Sequence, residues 1–88
     1  MEKYIGKVTH YFTRIGVAVL ELEDGLAVGD TVRISGHTTD FIQQVKSMEV
    51  EHRKQPTVGA GADVALKAEE RVRKDDKVYK VMAGATHF

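Results

Sequence analysis

The chain of 88 residues has no cysteine, no tryptophan, a single proline and no net charge. Without cysteine there is neither a disulfide staple nor a thiolate metal site, which fits a reducing compartment. Thirteen basic and thirteen acidic side chains cancel. A sequence-independent nucleic-acid binder usually carries a positive excess, so the balance speaks against that class while leaving room for a local basic patch. The longest apolar stretch, Ile15 to Leu20, is far short of the ~20 residues that cross a bilayer as a helix. Met-Glu-Lys-Tyr-Ile-Gly at the N-terminus lacks the apolar region and cleavage site of a signal peptide. A cytoplasmic chain without membrane contact is expected. No Gly-x-x-x-x-Gly-Lys-Ser/Thr phosphate loop occurs, so no nucleotide is expected as a ligand. Gly59-Ala-Gly61 is too short for a dinucleotide fingerprint and reads as a turn. No cofactor motif is found.

What is present describes one small domain. A chain of this length buries roughly 60–65% of its unfolded surface, enough for one modest core. Eight glycines supply tight turns. Period 2 dominates the first half, from Lys3 to Phe12 and again from Val17 to Glu23, with Thr13 to Gly16 as the hairpin connection and Gly16 free to take positive φ. Both faces of Val17-Ala18-Val19-Leu20 are apolar, which predicts a strand covered on both sides for part of its length. Thr31 to Ile34, Asp63 to Lys67 and Lys77 to Met82 read as further strands.

Asp40 to His52 is the longest strand candidate, and its pattern changes phase midway. Phe41 and Val45 share one face, Met48 and Val50 the other. Either a β-bulge near Lys46-Ser47 or a division between two sheets would resolve this. Ala65 to Lys77 carries good helix formers but only a thin apolar stripe, and reads as a loop with strand ends or as one helix. A weak echo links Leu26-Ala-Val-Gly-Asp30-Thr-Val32 with Val72-Arg-Lys-Asp-Asp76-Lys-Val78, and more loosely with Val58 to Val64. In each, Asp is placed to accept backbone N–H bonds and hold a turn. Six strands with tight turns predict an all-β, six-stranded, closed antiparallel barrel spanning about residues 4–82, since closure removes exposed edges. The tail, 83–88, is expected to fray.

No catalytic set emerges, so an enzyme is not expected. His10, His37, His52 and His87 stand at no metal-ligand spacing. The pairs Glu23-Asp24, Glu69-Glu70 and Asp75-Asp76 lie in polar runs and read as solvated. Residues 45–88 hold nine basic and seven acidic side chains against four and six in residues 1–44, which places any basic face in the second half. The candidate anion or RNA contact is His52-Arg53-Lys54 with Lys46 upstream, where Arg offers a bidentate fork for phosphate.

The ordered pieces Leu26-x-Val-Gly29-Asp30-x-Val32-x-Ile34-x-Gly36, Val45-Lys-Ser47-Met48, Ala60-Gly61-Ala-Asp63-Val64-Ala-Leu66 and Val78-Tyr-Lys-Val81 resemble the second domain of elongation-factor-Tu-type translation GTPases. Lys74-Asp75-Asp76 stands where that family has Gly-Asp. Gly36-His-Thr-Thr-Asp40 and Met48-Glu-Val-Glu-His52 look especially like the barrel that closes collagenase-like peptidase-family proteins, some of which act in tRNA modification. The first resemblance implies a translation-protein barrel that touches tRNA or ribosomal RNA through residues like Glu51 to Lys54. The second implies a protein-interaction module docking on a peptidase-like or tRNA-modifying enzyme encoded separately.

Overall fold

A computed structural model describes residues 2–82. The expectation for the tail 83–88 and for His87 lies outside these residues. Among them, no helix is long and apolar enough to cross a membrane. The described residues form ten strands: β1 (Glu2–Phe12), β2 (Val17–Leu22), β3 (Leu26–Ala27), β4 (Thr31–Ser35), β5 (Asp40–Gln44), β6 (Met48–Val50), β7 (Arg53–Lys54), β8 (Thr57–Val58), β9 (Asp63–Lys67) and β10 (Lys77–Val81). Eight form one antiparallel sheet in the order β5-β4-β10-β1-β2-β9-β6-β7, while β3 and β8 pair separately. The all-β expectation holds.

The closed six-stranded barrel does not. Among the described residues no ladder joins β5 to β6 or β7. The sheet nevertheless rolls. Six strand spacings of about 4.8 Å would put β5 and β6 about 29 Å apart in a flat sheet. Only Val45, Lys46 and Ser47 connect them, a link that reaches about 14 Å at full extension. The phase change in Asp40 to His52 is therefore neither a bulge nor a division between sheets. The strand stops, crosses the seam and restarts at the far side of the same sheet. One core results, with Ile5, Leu20, Val32, Ile34, Val45, Met48, Val64, Val72 and Val78 almost fully buried inside the roll.

Gln43 spans the open seam. It is 5% exposed. Its Nε2 donates to the Lys67 carbonyl at 2.9 Å, and its Oε1 accepts from the Glu69 N–H at 2.7 Å. A side chain thus replaces part of the missing ladder.

Strict alternation in β1 fails because β1 is bulged. Register shifts fall between Tyr4 and Gly6 against β10 and between Val8 and His10 against β2. Ile5 and Val8 consequently both face the core, which a period of 2 forbids and a bulge allows. The segment after β9 is a loop, not a helix. The β1–β2 hairpin connects as expected, with Gly16 at φ 66° donating to the Phe12 carbonyl at 2.8 Å.

Two copies of the echo share one turn. Asp30 Oδ2 accepts from the Ala27 N–H at 2.9 Å, and Asp76 Oδ2 accepts from the Arg73 N–H at 2.8 Å. In both, the residue before the Asp has positive φ: Gly29 at 99° and Asp75 at 75°. The third copy differs, because Ala62 follows its positive-φ residue, Gly61, and Asp63 enters β9 instead. Asp76 is also not solvated, at 4% exposed. Asp75, by contrast, is exposed and held in a conformation that costs an L-residue about 1–2 kcal/mol. Asp75→Gly should therefore raise the unfolding free energy by about 1 kcal/mol. Urea denaturation tests it, and a lowered midpoint would refute the assignment of strain.

Candidate functional site

The predicted basic cluster sits on a two-residue hairpin. Glu49 pairs with Lys54 and Val50 with Arg53, leaving Glu51 and His52 as the turn at φ 52° and 68°. Two positive values are the type I′ signature, normally carried by Asn-Gly or Gly-Gly. Glu and His hide that signal, so sequence reasoning sees one long strand where a strand, a turn and a short edge strand stand.

This geometry separates the four candidates. Lys46, in the seam link, and Lys54, on β7, line one cleft of about 280 Å³ with Val28, Met48 and Pro56. Among the described residues no carboxylate lines it. His52 faces a different groove of about 440 Å³, beside Phe12, Val17, Glu49 and Ala65. Arg53 is exposed and lines neither. The four candidates therefore do not all share one cleft.

Other sequence candidates find structural roles. Asp40 receives a bidentate contact from Arg33, with Nε at 2.8 Å and Nη2 at 2.9 Å. That guanidinium holds the Asp40 carboxyl below its ordinary value of 3.8. Glu2 also accepts from Arg33 at 3.3 Å. The 36–40 loop thus anchors a charge network, and its Thr38 hydroxyl accepts from Arg73 Nε at 2.9 Å. Lys3 pairs with Asp24, and the Gly25 N–H adds a bond at 2.7 Å. Lys3 and that N–H hold Asp24 below the usual carboxylate range. Among the described residues no group of His, Asp and Glu side chains is placed to hold a metal ion.

The surface that sequence reasoning missed is the outer face of the sheet across β1, β2, β9 and β6. Ala18, Leu20, Val64, Leu66 and Met48 turn inward and are buried. Val17, Val19 and Ala65 turn outward and are half-buried. Phe12 lies opposite Val17 and His10 opposite Val19, while Ala65 joins Val19 to Glu49 across the ladders. His10 and Phe12 stack edge-on at 4.3 Å between ring centroids. Phe12 and Ile15 stay 46% and 58% exposed. Lys67 Nζ donates to the Ile15 carbonyl at 3.0 Å and steadies the hairpin tip. The available signal is Val17-Ala18-Val19-Leu20, apolar on both faces, with no second covering layer among the described residues.

No protein-family model matches the chain. It is 37% identical over 76 residues to an uncharacterized protease of Methanocaldococcus jannaschii, covering 85% of this chain and 19% of that protein. It is 38% identical over 79 residues to a collagenase of Porphyromonas gingivalis, covering 88% of this chain and 22% of the collagenase. The chain spans about a fifth of the length of the curated relatives it matches. In structure it superimposes on the C-terminal domain of a Geobacillus thermoleovorans protein assigned to the U32 peptidases, with a TM-score of 0.86 at 18% identity, covering 91% of this chain and 93% of that one. The selenomethionine form of that domain matches at 0.82. This is the fold of a U32 peptidase C-terminal domain. The similarities support the collagenase-like side of the resemblance, and the elongation-factor side gains nothing from them.

Proposed function

We propose that the chain is a non-catalytic accessory domain of a collagenase-type U32 peptidase system, working by docking on the catalytic portion. One observation carries this reading: nearly all of this chain corresponds to only about a fifth of its protease relatives. The match in fold to a domain from the C-terminal end of such a protein agrees with it. Chemistry supplied by the other four fifths requires none here. The docking alternative suits a chain with no net charge better than RNA binding does.

The test uses the Porphyromonas gingivalis collagenase with its matching segment deleted. The purified chain should bind that remainder with a dissociation constant of roughly 1–100 μM, as expected of a modest interface. Alone, it should release no more peptide from gelatin than buffer does. Hydrolysis by the isolated chain would overturn the non-catalytic reading, and absence of binding would overturn the docking.

An RNA contact is the second reading, favoured by the carboxylate-free cleft between Lys46 and Lys54. On this reading Lys46→Ala with Lys54→Ala should weaken tRNA binding at low salt, and Arg53→Ala much less. No retention of tRNA at low salt would dismiss it.

A further inference from the structure

We infer that the outer face built by Phe12, Ile15, Val17, Val19 and Ala65 is the surface on which the catalytic portion of a collagenase-type protein docks. The inference rests on the accessory reading above and adds the place. A strand buried on both faces carries apolar residues at every position, whereas a strand with one wet face alternates. β2 begins in the first manner, with Val17 and Val19 outward and Ala18 and Leu20 inward. Among the described residues, no other element packs over that outer face: its groove is lined only by the β1–β2 hairpin, the seam link, the β6–β7 hairpin and β9. Phe12 and Ile15 stand at the hairpin tip, where a packed partner would remove them from water. Large aromatic and aliphatic side chains gathered on one solvent-facing patch mark interaction surfaces, whereas scattered ones do not.

The occupant follows from length and charge. The relatives carry this segment within a chain about five times longer, so the remaining portion is the natural neighbour of a face this domain leaves bare. Arg14 lines the adjoining cleft with Phe12 and Ile15 and has no ion-pair partner among the described residues. The seated surface therefore offers apolar side chains to Phe12 and Val17 and a carboxylate to Arg14. Buried aromatic and Arg anchors are the usual centres of binding energy in such contacts.

The experiment titrates the labelled chain with the Porphyromonas gingivalis collagenase remainder. Phe12→Ser combined with Val17→Thr should weaken binding at least tenfold, and Arg14→Glu by about tenfold. Lys77→Ala, exposed on β10, should bind as the unaltered chain does. Far-UV circular dichroism and melting, unchanged in each variant, establish that the fold is intact. Val19→Thr alone gives a milder second probe of the same face. If the unaltered chain binds and the face variants bind equally well, the surface is wrong and the accessory reading stands. If the unaltered chain does not bind, the accessory reading fails and takes this inference with it. If the chain alone sediments as a dimer that the face variants make monomeric, the occupant is a second copy and the inference is overturned.

Discussion

Gly6→Ala is expected to lower the unfolding free energy by about 3 kcal/mol, a large share of the stability of a domain this small. A Cβ at position 6 would lie 2.2 Å from the Glu21 carbonyl oxygen and 3.1 Å from Leu22 Cα. Carbon and carbonyl oxygen in neighbouring strands approach to about 3.3 Å, so one strand would have to move by about 1 Å. Gly6 has no free side toward which to move. It pairs with Leu22 of β2 and also with Val78 of β10, and retreat from one ladder compresses the other. The obstacle is backbone, so no side-chain rotation relieves it. Urea denaturation measures the loss. Gly59→Ala is the control, because nothing lies within 4 Å of a Cβ there, and its midpoint should shift little or rise slightly through a stiffer unfolded chain. A Gly6→Ala midpoint close to the unaltered protein would mean that the strands separate freely at this point.

Residue pattern alone made much of this architecture legible. The strands at Val17–Leu22, Thr31–Ser35, Asp63–Lys67 and Lys77–Val81 announce themselves through alternation and bounding turn residues. The Asp30 and Asp76 turns were readable as an echo because Asp performs the same bond in each. What stayed hidden depends on partners distant in sequence or on unusual backbone. Gly6 reads as one more strand position, since its constraint lies in Glu21. The β6–β7 turn was invisible because Glu51 and His52 occupy conformations normally given to Asn and Gly. Without the turn, Arg53 and Lys54 read as the end of one long strand, grouped with Lys46 and His52 although the four line different surfaces. The apolar face is half visible: Val17 and Val19 point to cover on both sides, and among the described residues no element packs over the outer one.

The seam is the other hidden feature, and it sets the second large effect. Gln43→Leu should cost about 2–3 kcal/mol despite keeping a similar volume, because it leaves the Lys67 carbonyl and the Glu69 N–H without the partner that served both. A period of 2 puts Gln43 on the face of Phe41 and Val45, and nothing in the pattern names a partner for its amide. In the fold it points inward where, among the described residues, two sheet ends meet without a ladder. Gln43→Glu separates the two bonds. A carboxylate can still accept from the Glu69 N–H, but it cannot donate to the Lys67 carbonyl and instead sets two oxygens against each other. Protonation restores the donor, so the folded state favours the acid and raises the pKa of that carboxyl. A raised value means that the stabilising contribution is present below the unfolded Glu value of about 4.3 and is lost as pH rises through the folded one. Relative to the unaltered chain, Gln43→Glu should therefore be closest in stability near pH 4 and fall behind toward pH 7. Paired urea titrations at the two pH values measure this. Equal deficits at both would show that the Lys67 bond contributes nothing and that only the Glu69 N–H holds the seam.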